Sequence, residues 1–273
     1  MSAPPFRDDH LWPEGTEVDN LIDLRPLAEA ASEPKLKASD VGDWVWPSDN
    51  DFCIPLLLKN VQPRGLELPT NRWGAKARGD RMVGSTFHFY TDDYRFEGLW
   101  KDPTKIINSG CNAVAETNFS TNDEMPFPVF LWHLYRKRWL SRYWQSYGIE
   151  IWADLAVTPR YRQYSLLGVP KGWGAYSSYA YGGHTIEDVI EEAEQAIKHA
   201  GIDEVLMWVV CGEESDLEEC RKRGWIGTVA HQQAYLRNVG GKKALKLPNV
   251  KITTQNEPKK PVPCKTLFDF GKA

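Results

Sequence analysis

The sequence predicts an α/β fold of parallel βα units that close only partway into a barrel. Three observations lead there. Short apolar runs rich in β-formers alternate with helical patterns through the middle of the chain, as βαβ units require. No GxGxxG fingerprint and no phosphate-cradling GxxxxGK[S/T] loop is present, so the doubly wound nucleotide-binding sheet, the competing architecture, loses its best support. Polar residues stand at the ends of the apolar runs, where a barrel builds its site. Only six or seven strands can be counted, which makes the expected barrel incomplete or distorted.

The elements follow in chain order. Ser85–Asp92 is β-rich and ends on acids, and Asn112–Phe119 is a second short run. The stretch Pro126–Tyr147 is long, aromatic and basic and reads as a helix. Ile149–Val157 is a third strand entered through Gly148, Trp173–Tyr181 a fourth stopping at Gly182-Gly183, and Glu204–Cys211 the most apolar, stopping at Gly212. Thr185–His199 is the clearest helix: Thr185 and Asp188 form an acidic variant of the capping box, Gly201 lies just beyond the end, and Ile186, Val189, Ile190, Ala193 and Ile197 form one apolar face. Asp216–Arg223 is a shorter helix ending at Gly224, and Cys53–Leu58 and Ile226–Ala230 are possible additional strands. The α/β body spans 51–239. Residues 1–50, Pro- and acid-rich, read as an extended arm. Residues 240–273 read as a flexible basic tail, with eight lysines against Glu257 and Asp269.

Composition narrows the function classes. The chain has 273 residues, 42% hydrophobic and 26% charged, which is ordinary globular usage. A net charge of −4 gives no case for non-specific nucleic-acid binding by the molecule as a whole. No run approaches the roughly 18 apolar residues of a spanning helix, so no membrane partner is expected. The start of the chain lacks the basic and apolar regions of a secretory signal. Five cysteines without regular spacing fit a reducing cytoplasm. Twelve Trp and eleven Tyr are the unusual feature.

Parallel strands would share one rim at their C-terminal ends. The first delivers Asp92, Asp93, Arg95 and Glu97, the second Glu116, Asn118 and Ser120, and the third Asp154. The fourth delivers Tyr179 and Tyr181, and the fifth Cys211, Glu213 and Glu214. Carboxylates gathered on a concave face must share protons, pair with a cation or bind one. Such a set suits general acid–base or covalent sugar chemistry, with Asp93, Glu116 and Asp154 as the catalytic candidates. Asp92, Arg95, Glu97, Asn118, Trp152, Tyr179 and Tyr181 are the substrate-binding candidates, Arg95 and Glu97 being able to face one side and clamp a phosphate or a neighbouring acid. The plainer reading makes the acids caps and turn-holders and makes Arg95 half of an internal salt bridge.

Arg136, Lys137, Arg138 and Arg142 interleave with Trp132, Tyr135, Trp139, Tyr143, Trp144 and Tyr147. That mixture can grip nucleic acid through phosphates and stacking. Alternatively the aromatics are core and the cations a solvated face. The histidines are scattered and no CxxC or HExxH is present, so no metal site is expected. A structural zinc on Cys211, Cys220 and His231, or an acid-ligated magnesium on the rim, stays an alternative. The residues name no cofactor.

The run Phe87-His88-Phe89-Tyr90-Thr91-Asp92-Asp93-Tyr94-Arg95-Phe96-Glu97-Gly98-Leu99-Trp100 resembles the signature of the domain-of-unknown-function family numbered four-four-one-seven, found in phages, plasmids and other mobile elements. The pattern continues in Asn118-Phe119-Ser120, Met125-Pro126, Trp132, Tyr135-Arg136, Tyr147-Gly148 and Gly168-Val169-Pro170-Lys171, and covers roughly Ser85 to Gly212. Family members often carry Pro-Asp before the Phe-Ser, where this sequence has Thr117-Asn118, so Glu116 is the nearest substitute acid. The resemblance implies a mobile-element context and supplies no activity. Glu116-Thr117-Asn118-Phe119-Ser120 and Tyr181-Gly182-Gly183 are also similar in layout to strand ends of the barrel-type guanine transglycosylases, whose zinc cluster is missing here. The tail segment Lys265-Thr266-Leu267-Phe268-Asp269-Phe270 looks like the peptides that dock on replicative sliding clamps through apolar anchors, here Leu267, Phe268 and Phe270, although the usual upstream Gln is absent.

Two functions follow as expectations. One is an enzyme acting on a nucleobase or nucleotide, free or within DNA, with Glu116 and Asp154 as nucleophile and base. The other is an accessory protein of phage replication, regulation or recombination that binds nucleic acid or a clamp. Catalysis requires a deep acidic pocket on the rim; the accessory role requires a filled rim and a basic aromatic outer face.

Overall fold

The computed structural model describes residues 45–74 and 83–230. The expected tail, including Leu267, Phe268 and Phe270, lies outside the described residues, as do His231 and most of the expected N-terminal arm. Seven strands form one all-parallel sheet in sequence order, curled into a half-barrel: β1 (Thr70–Arg72), β2 (Thr86–His88), β3 (Ala113–Ala115), β4 (Glu150–Asp154), β5 (Ala175–Ala180), β6 (Leu206–Cys211) and β7 (Ile226–Val229). The helices are α1 (Thr104–Ile107), α2 (Phe127–Gln145), α3 (Ile186–Ala200) and α4 (Glu214–Lys222). The incomplete parallel barrel expected from the sequence is therefore the fold.

Period-2 alternation sorts the strand residues onto two faces. Phe87, Val114, Ile151, Ala153, Tyr176, Met207 and Val209 point outward and join the main core with the helices. Ala113, Ala115, Trp152, Ala175, Trp208 and Val210 point into the concave face, where Tyr90 packs with them. Four residue pairs from three strand pairings set the rim: Ala115 stands beside Trp152, Asp154 beside Ser177, Tyr179 beside Val210, and Ala180 beside Cys211.

Helix α3 forms where its caps predict. The Thr185 side chain accepts from the Asp188 N–H, the Asp188 side chain accepts from the Thr185 N–H, and Gly201 ends the helix with φ 68°. Helix α2 is different. Every residue from Arg136 to Gln145 is buried, so it is a core helix rather than an amphipathic one. Its inner side packs on the sheet, with Trp144 stacked on Phe89 at 5.8 Å. Its other side is covered by the Cys53–Leu58 segment, one of the possible strands, which is instead a strap. Gln145 Nε2 donates to the carbonyls of Leu58 (3.0 Å) and Val61 (2.8 Å), and its Oε1 accepts from the Leu58 N–H (2.8 Å). These bonds occupy the backbone groups a ladder would use.

The strap is also held at Gly168, whose carbonyl accepts from the Leu57 N–H at 2.9 Å. Gly168 has φ +76°, and a Cβ there would lie 2.2 Å from the Pro55 carbonyl oxygen. The left-handed backbone alone is strained by about 1–3 kcal/mol for a non-glycine residue, and the clash adds to it. Gly168→Ala is expected to lower stability by more than 2 kcal/mol by urea unfolding. An unchanged midpoint would show that the strap does not hold this register.

Candidate functional site

The β3–β4 sector of the rim is filled by a neutral cluster of four charges. Glu116 follows Ala115, which faces the concave side, so its carboxylate turns outward and meets the Arg138 guanidinium of α2. The same Glu116 oxygen accepts from the Asp154 N–H at 3.0 Å. Arg138 is fully buried and also donates to the carbonyls of Leu167 (2.9 Å) and Ser165 (2.6 Å). Burial lowers its guanidinium to about 10, offset by attraction to Asp154, Tyr176 and Asp49; it remains a cation at neutral pH.

Asp154, two residues past Trp152, turns to the concave side. One oxygen accepts from the Tyr90 hydroxyl (3.0 Å) and the Ala156 N–H (3.2 Å); the other from Lys137 Nζ (2.5 Å) and Asn118 Nδ2 (3.0 Å). A carboxylate has about four lone-pair sites, so none is left for a substrate. The Tyr90 hydroxyl also lies 2.9 Å from Ser177 Oγ. Lys137 and Arg138, adjacent in α2, thus neutralise two acids on opposite faces of the sheet.

These placements correct the expected layout. The three acids do not meet in one hollow: Glu116 and Asp154 face opposite ways and are ion-paired, and Asp93 binds the Ser120 N–H (3.1 Å) and Oγ (2.8 Å), holding the loop after β3. Asp92 pairs with Arg95 at 3.3 Å within one turn, and Glu97 is exposed. Trp152 is fully buried against Trp208 and presents no face on which a base could stack. The α2 cations are not a surface either. Lys137 and Arg138 serve the acids, Arg136 lies over Phe119 at 4.0 Å, and Arg142 lies over Trp46 at 4.5 Å. Burial on the core side, rather than phosphate contact, accounts for the interleaving of cations and rings. Cys211 and Cys220 stand 3.7 Å apart as buried free thiols, and among the described residues no group of three or more His, Cys, Asp or Glu is placed to hold a metal ion.

The open part of the rim lies at β5 and β6. A cleft of about 1060 Å³ runs between the α3 and α4 sides, with Tyr181, His184, Ile190 and Gly212 in its wall. Five carboxylates line it, Glu187, Glu213, Asp216, Glu218 and Glu219, against Lys222 and Arg223. Tyr179 and Tyr181 reach this sector as half-buried rings 4.9 Å apart, Tyr179 lies 5.0 Å from Tyr90, and the Tyr181 hydroxyl donates to the Tyr90 carbonyl at 2.6 Å.

Sequence reasoning missed His184. The turn Tyr181-Gly182-Gly183-His184 closes through the His184 N–H and the Tyr181 carbonyl (3.2 Å), with φ of 62° and 94° at the two glycines. It sets the imidazole 4.8 Å from the Tyr179 ring. His184 Nε2 lies 3.2 Å from Oε1 of Glu192, a residue 1% exposed whose other oxygen accepts from Ser178 Oγ at 2.7 Å. The available signal was Glu192 itself, three residues after Val189 and four before Ala196, an acid on the buried face of α3.

The two rim histidines titrate in opposite senses. Burial, aided by Arg72, pushes His88 down to about 3. Burial also opposes charge on His184, but Glu192, Asp188 and Asp154 outweigh it and raise its pKa above 6.5. A folded-state pKa below the unfolded value means that His88 favours folding fully above pH 6.5, an advantage lost as pH falls through 6.5 toward about 3. His184 favours folding below pH 6.5, and that contribution is lost as pH rises through its higher folded value. Urea midpoints against pH are expected to lose part of their acid limb in His88→Phe and part of their decline above pH 6.5 in Glu192→Gln. Profiles identical to wild type would refute both assignments.

Among the described residues no helix is long and apolar enough to cross a membrane. No solved structure matches the chain. It is 33% identical over 128 residues to the Gene 1 protein of Mycobacterium phage D29, covering 46% of this chain and 45% of that protein. It is 38% identical over 96 residues to the Gene 1 protein of Mycobacterium phage L5, covering 33% of this chain and 40% of that protein. The chain thus spans less than half the length of these curated relatives. Residues 47–209, from the strap through most of β6, match the family described as Domain of unknown function (DUF4417), and since that stretch is more than half of the chain and contains the whole β3–β4 cluster and the β5 rim, the protein belongs to the DUF4417 family.

Proposed function

We propose that the protein takes a nucleobase or nucleoside as its ligand in the β5–β6 sector of the rim. The observation that carries this reading is the division of the rim: the β3–β4 sector is closed by the four-charge cluster, whereas a cleft opens beside Tyr181 and His184. Barrel-like folds bind their ligands at the C-terminal ends of the strands. Tyrosine rings with a neighbouring imidazole offer apolar faces and polar edges, which suits a flat heterocycle. The carboxylate-rich lining disfavours a phosphate backbone, so a base or nucleoside fits better than a DNA strand gripped through its phosphates. The phage relatives give the chain a phage context and name no ligand.

The test is titration of the full chain with adenosine, guanosine, cytidine, thymidine and their 5′-monophosphates, followed by calorimetry and by NMR of the aromatic side chains. The expected result is binding of at least one nucleoside, weaker binding of its monophosphate, and at least tenfold weaker binding in Tyr181→Ala. If no nucleoside or free base binds, the reading is wrong.

A further inference from the structure

His184 and Glu192 form a dyad that neither the family description nor the acids singled out in the sequence assign. Glu192 is buried, and its Oε1 has no aligned hydrogen bond in the described structure; His184 Nε2 is the group facing it, at 3.2 Å. A carboxylate in that position is unfavourable unless a cation answers it. Its Oε2 is already held by Ser178. Asp188, the other acid near the ring, is committed elsewhere: it caps Thr185 and accepts from Arg162 at 3.1 Å, and lies 4.0 Å from His184 Nδ1. Glu192 is therefore the counter-ion that fixes the imidazole. Nε2 faces inward, and the ring borders the cleft.

We propose that His184 is the hydrogen-bond-donating group of this cleft, presenting Nδ1–H to a ring nitrogen or carbonyl oxygen of a neutral nucleobase, with Glu192 and Ser178 as positioning residues. The inference rests on the ligand reading given above. No covalent bond changes in this contact: the Nδ1–H hydrogen bonds to the acceptor of the base, and the proton stays on the imidazole, which is the stronger base of the two with its pKa above 6.5. Every charged or titratable group around the ring bears on that proton. Glu192 and Asp188 of α3 and Asp154 of β4 favour the imidazolium. Tyr179 of β5, its own pKa pushed up to about 12 by burial and by those carboxylates, stays neutral against the ring. The cleft adds Glu187 of α3 and, from α4 and its two ends, Glu213, Asp216, Glu218 and Glu219 together with Lys222 and Arg223.

The test has two arms. In the first, the His184 ring signal of the full-length protein, assigned by its loss in His184→Gln, is followed by NMR against pH. The expected midpoint lies above the ordinary 6.5, falls by about one unit or more in Glu192→Gln, and is largely restored in Glu192→Asp. A wild-type midpoint at or below 6.5, or no change in Glu192→Gln, overturns the dyad. In the second arm, the nucleoside that binds best is titrated into wild type and His184→Gln below the wild-type midpoint. Affinity is expected to drop at least tenfold, and the His184 Nδ1 resonance to move on binding in wild type. Equal binding by the two proteins overturns the donor role and leaves the ligand reading standing. No nucleoside binding to wild type overturns the ligand reading, and with it the ligand assigned to the dyad.

Discussion

Arg138→Met is expected to destabilise the fold by about 3–5 kcal/mol, because it strands the Glu116 carboxylate in the core without a counter-charge. The guanidinium makes bonds of three kinds there: to Glu116, to the Leu167 carbonyl and to the Ser165 carbonyl. Methionine replaces none of them. Glu116 Oε1 already has no hydrogen-bond partner in the described structure, so that carboxylate has nothing else to turn to. The asymmetry of buried pairs gives the sharper half of this expectation. Removing one ion leaves an uncompensated charge, whereas removing both can be close to neutral. The double variant Glu116→Leu/Arg138→Met should thus be more stable than Arg138→Met alone, and the double-mutant cycle should show a coupling well above 1 kcal/mol. Urea denaturation of the four proteins measures it. Additive losses would mean that the two side chains do not form a pair.

The same pair shows why part of the site was unreadable in the sequence. The fold was legible because its signals are local. The capping box at Thr185 and Asp188, the apolar face of α3 and the apolar run into Cys211 each lie within one element, and the structure places those elements where the patterns put them. Strand β1 was not legible. Three half-buried polar residues, Thr70, Asn71 and Arg72, carry no period-2 signal, and only pairing with β2 makes them a strand. Cys53–Leu58 has strand composition, but its backbone groups are taken one by one by partners no local pattern announces: Asn50 at Ile54, the Gly168 carbonyl at Leu57 and Gln145 at Leu58. The acids and cations were each visible as candidates and were assigned to separate jobs. What joins Glu116 to Arg138 and Asp154 to Lys137 is the docking of α2 across the sheet, a tertiary event without a sequence period. His184 escaped for the opposite reason. A lone histidine carries no motif, and its meaning comes from Glu192, which looked like one more polar residue of a surface helix until its position between Val189 and Ala196 is considered.

Asp154→Asn should behave like the Arg138 change and unlike a simple loss of catalysis. The amide keeps the shape of the carboxylate and can still accept from Tyr90, but it carries no charge for Lys137, whose side chain is 4% exposed and whose Nζ lies 2.5 Å from Asp154. Its amide N–H groups would also face the Asn118 amide or the Ala156 N–H, donor against donor. The expected loss is again about 3–5 kcal/mol, the penalty for a buried ion without its partner. Lys137→Met in the same background should recover part of it by removing the stranded charge. Asp93→Asn provides the contrast: its carboxylate holds an exposed loop through Ser120, and the expected change is below about 1 kcal/mol. This ordering separates two meanings of an inactive variant. If Asp154 worked as a base or nucleophile rather than as the keystone of the cluster, Asp154→Asn would abolish activity while unfolding at the wild-type urea midpoint. Loss of function accompanied by a large fall in that midpoint assigns Asp154 to the scaffold and leaves the chemistry of the rim to the β5–β6 side, where Tyr181 and His184 border open space.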